Sequence, residues 1–168
     1  MRRIGSPARR HATLVRLLWQ LTLILVLISV AMVTRRTLGL FGVVSASSAL
    51  SGSAPLDAAF TGYAPLTMLH ILPGLIFVVL GPLQFVKTLR TRRPRVHRRI
   101  GCIVLASGLV TGVTALAMTT HMAIGGATER AATALFGLLF LVALARAFAC
   151  IRRRQVALHR EWMIRAFS

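Results

Sequence analysis

Four apolar runs, at residues 14–33, 66–86, 100–120 and 131–150, each last about twenty residues, and no other feature of the sequence limits the fold so tightly. Twenty residues of α-helix, at about 1.5 Å each, cross the roughly 30 Å hydrocarbon layer of a bilayer. Backbone N–H and C=O groups find no water there, so such a segment must satisfy its own hydrogen bonds as a helix. The sequence therefore predicts an all-α integral membrane bundle with four transmembrane helices. Residues 151–168 add the start of a fifth helix or an interfacial C-terminal helix. Composition agrees, since 56% of residues are hydrophobic and only 14% charged. A soluble domain carries about 25% charged residues, and a disordered basic tail lacks apolar content this high.

The charges fix an expected orientation. Lys and Arg number 21 against three acids, for a net charge of +18. Five basic residues precede or open the first run, seven lie between runs two and three, and five follow the fourth, whereas the other two loops hold two and one. Short cytoplasmic loops collect Lys and Arg, so both termini are expected in the cytoplasm. On this reading residues 1–13 are a basic cytoplasmic tail, 34–65 an external Ser/Ala/Gly-rich loop, and 66–168 a multi-span domain. The pair Arg35-Arg36 falls on the outer side against the rule. A cleaved signal peptide, with small residues at Ala46 and Ala49, is the alternative to an uncleaved anchor, but the two arginines would separate its apolar region from the cleavage site.

Several residues inside the runs bear on packing. Pro73-Gly74 and Gly81-Pro82 remove or loosen backbone bonds and allow a kink or a break in the second helix. Gly108 and Gly112, in small-xxx-small spacing, let a second backbone approach, from within the chain or from a second copy. Arg146 sits four residues from the end of the fourth run, where it can snorkel to the boundary or face an anionic ligand. Cys102 and Cys150 are too few for a disulfide framework, show no metal-ligand spacing and read as small apolar side chains.

Chemistry is sparse. Asp57, Glu129 and Glu161 all lie in loops or ends, which leaves no mid-membrane carboxylate for proton coupling and no carboxylate pair for hydrolysis. No phosphate-cradling glycine loop and no nucleophile motif is present. The histidines pair by depth: His70 with His121 at one side, His97 with His159 at the other. Two imidazoles from facing helices at one level are what a bis-His haem b requires; hydrogen-bonded interfacial histidines are the other reading. The run Lys87-Thr-Leu-Arg-Thr-Arg-Arg-Pro-Arg-Val-His-Arg-Arg99 suits anionic lipid headgroups. Its basic residues are not interleaved with aromatics or gathered on one folded face, so nucleic acid is not an expected partner.

The motifs Gly81-Pro82-Leu83-Gln84-Phe85, His97-Arg98-Arg99-Ile100-Gly101 and His159-Arg160-Glu161-Trp162-Met163-Ile164-Arg165, in this order after His70 and Pro73-Gly74, resemble the bacterial multi-span membrane family named domain of unknown function 2306. The resemblance covers roughly residues 60–168. It implies a bacterial inner-membrane location and marks His70, Gln84, Phe85, His97, Arg98, Gly101, His159, Arg160, Trp162, Met163 and Arg165 as the functional or structural centre. It implies no reaction. Such chains usually continue into further hydrophobic helices, so this one resembles a truncated member. Without a continuation, residues 158–167 are expected at the interface, anchored by Trp162.

Three functions follow as expectations. The first is a non-enzymatic membrane scaffold or interaction protein that contacts lipid, a homodimer mate or a partner subunit. The second is a haem- or quinone-associated redox protein using His70, His97, His121 and His159. The third is a small-solute transporter built on a broken second helix and Arg146.

Overall fold

Each apolar run lies on a helix in the computed structural model, which describes residues 7–42, 54–122 and 126–167. The order is α1 (Pro7–Leu40), α2 (Ala54–Gly62), α3 (Ala64–Leu80), α4 (Lys87–Arg92), α5 (Pro94–His121), α6 (Gly126–Arg152) and α7 (Val156–Phe167), with a 3-10 turn at Pro82–Phe85. No strand occurs among the described residues. Four segments are long and apolar enough to cross a membrane: Thr13–Leu40, Ala64–Phe85, Pro94–His121 and Gly126–Arg152. The chain is a helical membrane-spanning protein.

Helical hydrogen bonding continues past the apolar limits because interfacial residues still complete the ladder. At 34 residues, α1 is roughly 50 Å long and carries Arg35 and Arg36 on its last turns. Arg36 rests its guanidinium over the Phe60 ring of α2, 4.1 Å from the centroid. That cation–π contact holds the one charge pair that opposes the basic-loop pattern. The segment 34–65, read from sequence as a loop, thus contains the end of α1 and all of α2. Ala46 and Ala49, residues 1–6 and Gly125 lie outside the described residues.

Helix α3 continues through Pro73, which lies in its interior. It ends at Gly81-Pro82. Gly81 N–H still donates to Phe77 C=O at 2.8 Å, and the chain then tightens into the 3-10 turn and turns out at Val86. Pro94 opens α5 at a position where a missing N–H costs nothing. The α1, α3, α5 and α6 directions alternate, so α1 begins, α3 ends, α5 begins and α6 ends at one end of the bundle. Lys87, Arg90, Arg92, Arg93, Arg95, Arg98, Arg99 and Arg152, Arg153, Arg154 and Arg160 are all exposed there. We call it the basic end.

The turn from α6 to α7 is a Schellman motif. Gln155 N–H donates to Cys150 C=O at 2.9 Å and Arg154 N–H to Ile151 C=O at 3.0 Å. Arg154 takes the left-handed position at φ 60° that glycine usually holds. The turn sends α7 back along α6 into the bundle. Met163 and Ala166 join Phe77 of α3, Val104 of α5 and Ala143, Leu144 and Ala147 of α6 in one buried core. Residues 158–167 thus pack one face, through Met163 and Ala166, against the bundle and leave Leu158, Arg160, Glu161, Ile164 and Arg165 exposed.

Small residues permit this closeness. Cβ atoms at Gly108 would come within 2.8 Å of both Leu144 and Phe77, and one at Gly112 within 2.6 Å of Leu141. The small-xxx-small groove of α5 is filled from within the chain.

Candidate functional site

Part of the motif set, Gln84, His97 and Gly101, meets where the 3-10 turn packs on α5 at the basic end. The 3-10 turn aims Gln84 at α5, where its Oε1 lies 3.2 Å from the place a Cβ on Gly101 would occupy. Gly101 is thus the gap that admits the carboxamide. His97 stands one helical turn earlier on the same face of α5. Gln84 Nε2 and His97 Nδ1 are both shut from solvent and have no hydrogen-bond partner. His159 of α7 and Arg90 of α4 lie within electrostatic reach of the His97 ring.

His159 is fixed by the hairpin. Its Nδ1–H donates to the C=O of Ala147 on α6, at 2.8 Å. In the neutral ring this leaves Nε2 with a free lone pair. The side chain is half-buried.

The remaining motif residues have separable positions. Met163 is buried in the core. Phe85 presents its edge to Phe167, with centroids 5.5 Å apart, and Phe167 stacks on Phe77 at 4.4 Å. Trp162 carries the guanidinium of Arg165 at 4.7 Å and that of Arg146 at 5.8 Å from its centroid. Arg146 is exposed, and its charge is held on an aromatic ring near the basic end. Arg165 also reaches Glu161 one turn away at 3.7 Å, an exposed pair of small energetic weight. Arg98 and Arg160 extend outward.

At the far end the structure separates the other two histidines. His70 Nδ1–H points at Thr111 C=O (3.2 Å) and Thr114 Oγ1 (3.1 Å) on α5. Thr114 Oγ1 donates in turn to Val110 C=O at 2.7 Å. His121 instead lies against the Tyr63 ring, with centroids 5.4 Å apart. Tyr63 is seven residues before His70, roughly 10 Å along the helix axis. His97 and His159 lie within electrostatic reach of each other, whereas His70 and His121 take different partners.

Sequence reasoning passed over Thr111, Thr114, Tyr63 and the Ala147 carbonyl. The threonines did carry a signal, since hydroxyls within an apolar helix commonly bond across helices. Among the described residues, no group of three or more His, Cys, Asp or Glu side chains could hold a metal ion.

The model of a family described as "Predicted membrane protein (DUF2306)" matches residues 67–168. This covers more than half of the chain and includes every residue of the buried core. No curated protein and no solved structure matches. The chain belongs to the DUF2306 family of membrane proteins.

Proposed function

We propose that this DUF2306 member is a non-enzymatic membrane module that holds anionic lipid headgroups at its basic end. In this reading the basic end, with both termini, faces the cytoplasm of a bacterial cell, as the distribution of basic residues favours. One observation carries the proposal. Eleven exposed cations crowd that end, and the acid nearest to them among the described residues, Glu161, is engaged by Arg165. Cations held near an anionic membrane surface contribute about 1 kcal/mol each.

The test is thermal melting of the detergent-purified chain with added phosphatidylglycerol or phosphatidylcholine of matched acyl chains. Phosphatidylglycerol should raise the melting temperature more. The excess should shrink at about 1 M salt, where the Debye length falls to about 3 Å, and in the triple variant Arg95→Gln, Arg98→Gln, Arg99→Gln. Equal stabilisation by the two lipids would refute the proposal.

A second reading is haem b ligation by His97 and His159. It is favoured by the His159 Nδ1–H bond to a backbone carbonyl, an arrangement common to ligating histidines because it fixes the ring and frees Nε2. A bound haem would supply one-electron chemistry; the chain's part would be to hold the ring plane between α5 and α7. The purified protein should then show a Soret band that shifts on dithionite reduction and is lost in His159→Ala. Colourless protein from haem-replete cells would reject this reading.

A further inference from the structure

A groove of about 740 Å³ runs between α1 and the α3–α7 face, opening near the basic end. Its volume falls in the roughly 300–1,000 Å³ range of ligand sites. The cause is the course of α1. Its half-buried stripe, Thr22, Val26, Ser29, Val33, Thr37 and Leu40, follows the bundle, while residues 13–21 are exposed throughout. The groove lies along the middle of α1, from Leu18 to Ser29, where that helix leaves space beside Phe77 and Val78 of α3.

The walls select the occupant. Leu18, Trp19 and Val26 face Val78, Phe85 and Phe167 across the groove. The two hydroxyls that line it are already used, since Thr22 Oγ1 donates to Leu18 C=O and Ser29 Oγ to Leu25 C=O, each at 2.8 Å. The walls therefore offer hydrocarbon contact without a free donor. The mouth is different. Arg16, two residues before Leu18, and Lys87, two residues after Phe85, are both exposed and follow from the lining by chain position, and the groove lining includes no acid. Apolar walls below a cationic mouth fit an amphiphile with an anionic head.

The geometry points to a binding site for one anionic phospholipid, its acyl chain lying between α1 and the α3–α7 face and its phosphate at Arg16 and Lys87. This deepens the proposed function, because it gives one lipid a fixed seat where the basic end alone attracts many. It also explains how a helix with one principal neighbour keeps its place. The lipid fills the wedge that side chains leave open.

The experiment is native mass spectrometry of the full-length chain released from detergent containing either phosphatidylglycerol or phosphatidylcholine. One phosphatidylglycerol should remain bound at collision energies that strip the others. Val26→Trp fills the groove and should lose that lipid; Ser29→Phe does the same from a neighbouring turn, should Val26→Trp fold poorly. Arg16→Gln lies outside the basic loops and should lower the preference for phosphatidylglycerol about fivefold, the weight of one cation near a lipid surface. Retention of the lipid by both groove variants would overturn the inference, as would equal retention of the two lipids by the unmodified chain. A dimer that Val26→Trp dissociates would also overturn it, since a second copy would then fill the groove. If the groove variants lose their lipid but keep salt-sensitive stabilisation by phosphatidylglycerol, the seat and the basic end are both real and separate. If the unmodified chain shows no such stabilisation, the wider reading fails, whatever the groove holds.

Discussion

Replacing Gly108 by Ala tests how closely the three central helices are matched. The new Cβ would stand 2.8 Å from Leu144 Cδ1 and 2.8 and 2.9 Å from two ring carbons of Phe77. Leu144 could rotate a methyl away, but Phe77 cannot retreat. Its ring is stacked on Phe167 at 4.4 Å on one side and meets the Phe140 ring edge-on at 5.3 Å on another. Overpacking of this kind costs about 1–3 kcal/mol. Against it stands a gain of about 1 kcal/mol from replacing glycine within a helix. Gly74→Ala isolates that gain, because a Cβ there meets only Thr111, at 3.5 Å, an ordinary contact. Gly74→Ala should therefore match or exceed the unmodified chain, and Gly108→Ala should fall about 1–3 kcal/mol below Gly74→Ala. Reversible unfolding in mixed detergent–SDS micelles, followed by circular dichroism, measures both. Equal stability of the two variants would show that α3 and α6 do not converge on Gly108, and the packing described for the core would be wrong.

Two further outcomes follow from the same core and its hairpin. Phe167→Ala removes the stack on Phe77 and the edge contact to Phe85; it should lower stability by less than the ~3–5 kcal/mol of a fully buried phenylalanine, read in the same unfolding assay, and no loss would mean that α7 does not dock. Arg154→Gly should raise the melting temperature, because a non-glycine residue in the left-handed region costs about 1–2 kcal/mol and φ is 60° here; a lower melting temperature would mean that the arginine side chain holds the turn.

The spans were legible because hydropathy reports the one requirement a bilayer imposes on every residue it surrounds. Runs 100–120 and 131–150 sit inside α5 and α6, whose ends at Pro94–His121 and Gly126–Arg152 lie several residues further out. There, polar side chains no longer mark the helix although the backbone ladder continues. The short α2 escaped notice for the same reason, being too brief and too mixed for a hydropathy signal. Gln84 and Gly101 were visible as separate motifs, but their meeting was not. It depends on the 3-10 turn at Pro82–Phe85, which sets the direction of the carboxamide. Depth alone placed His97 beside His159 and His70 beside His121. The structure distinguishes the two pairs, since rotation about the helix axis and the break at Tyr63 decide which rings can face each other. The packing of α7 could not be read either, because its 12 residues look alike whether they lie on a membrane or inside a bundle.

Among the described residues, the buried core draws on α3, α5, α6 and α7 and takes none from α1. Cooperativity therefore stops at the edge of that block. A transmembrane helix keeps its own hydrogen bonds when it leaves its neighbours, so α1 can part from the block without losing its fold, at a free energy well below that of global unfolding. Substitutions in α1 and in the core should then add independently. The chain behaves as one cooperative unit with a tethered helix beside it, and selection can alter the sequence of that helix without retuning the interior.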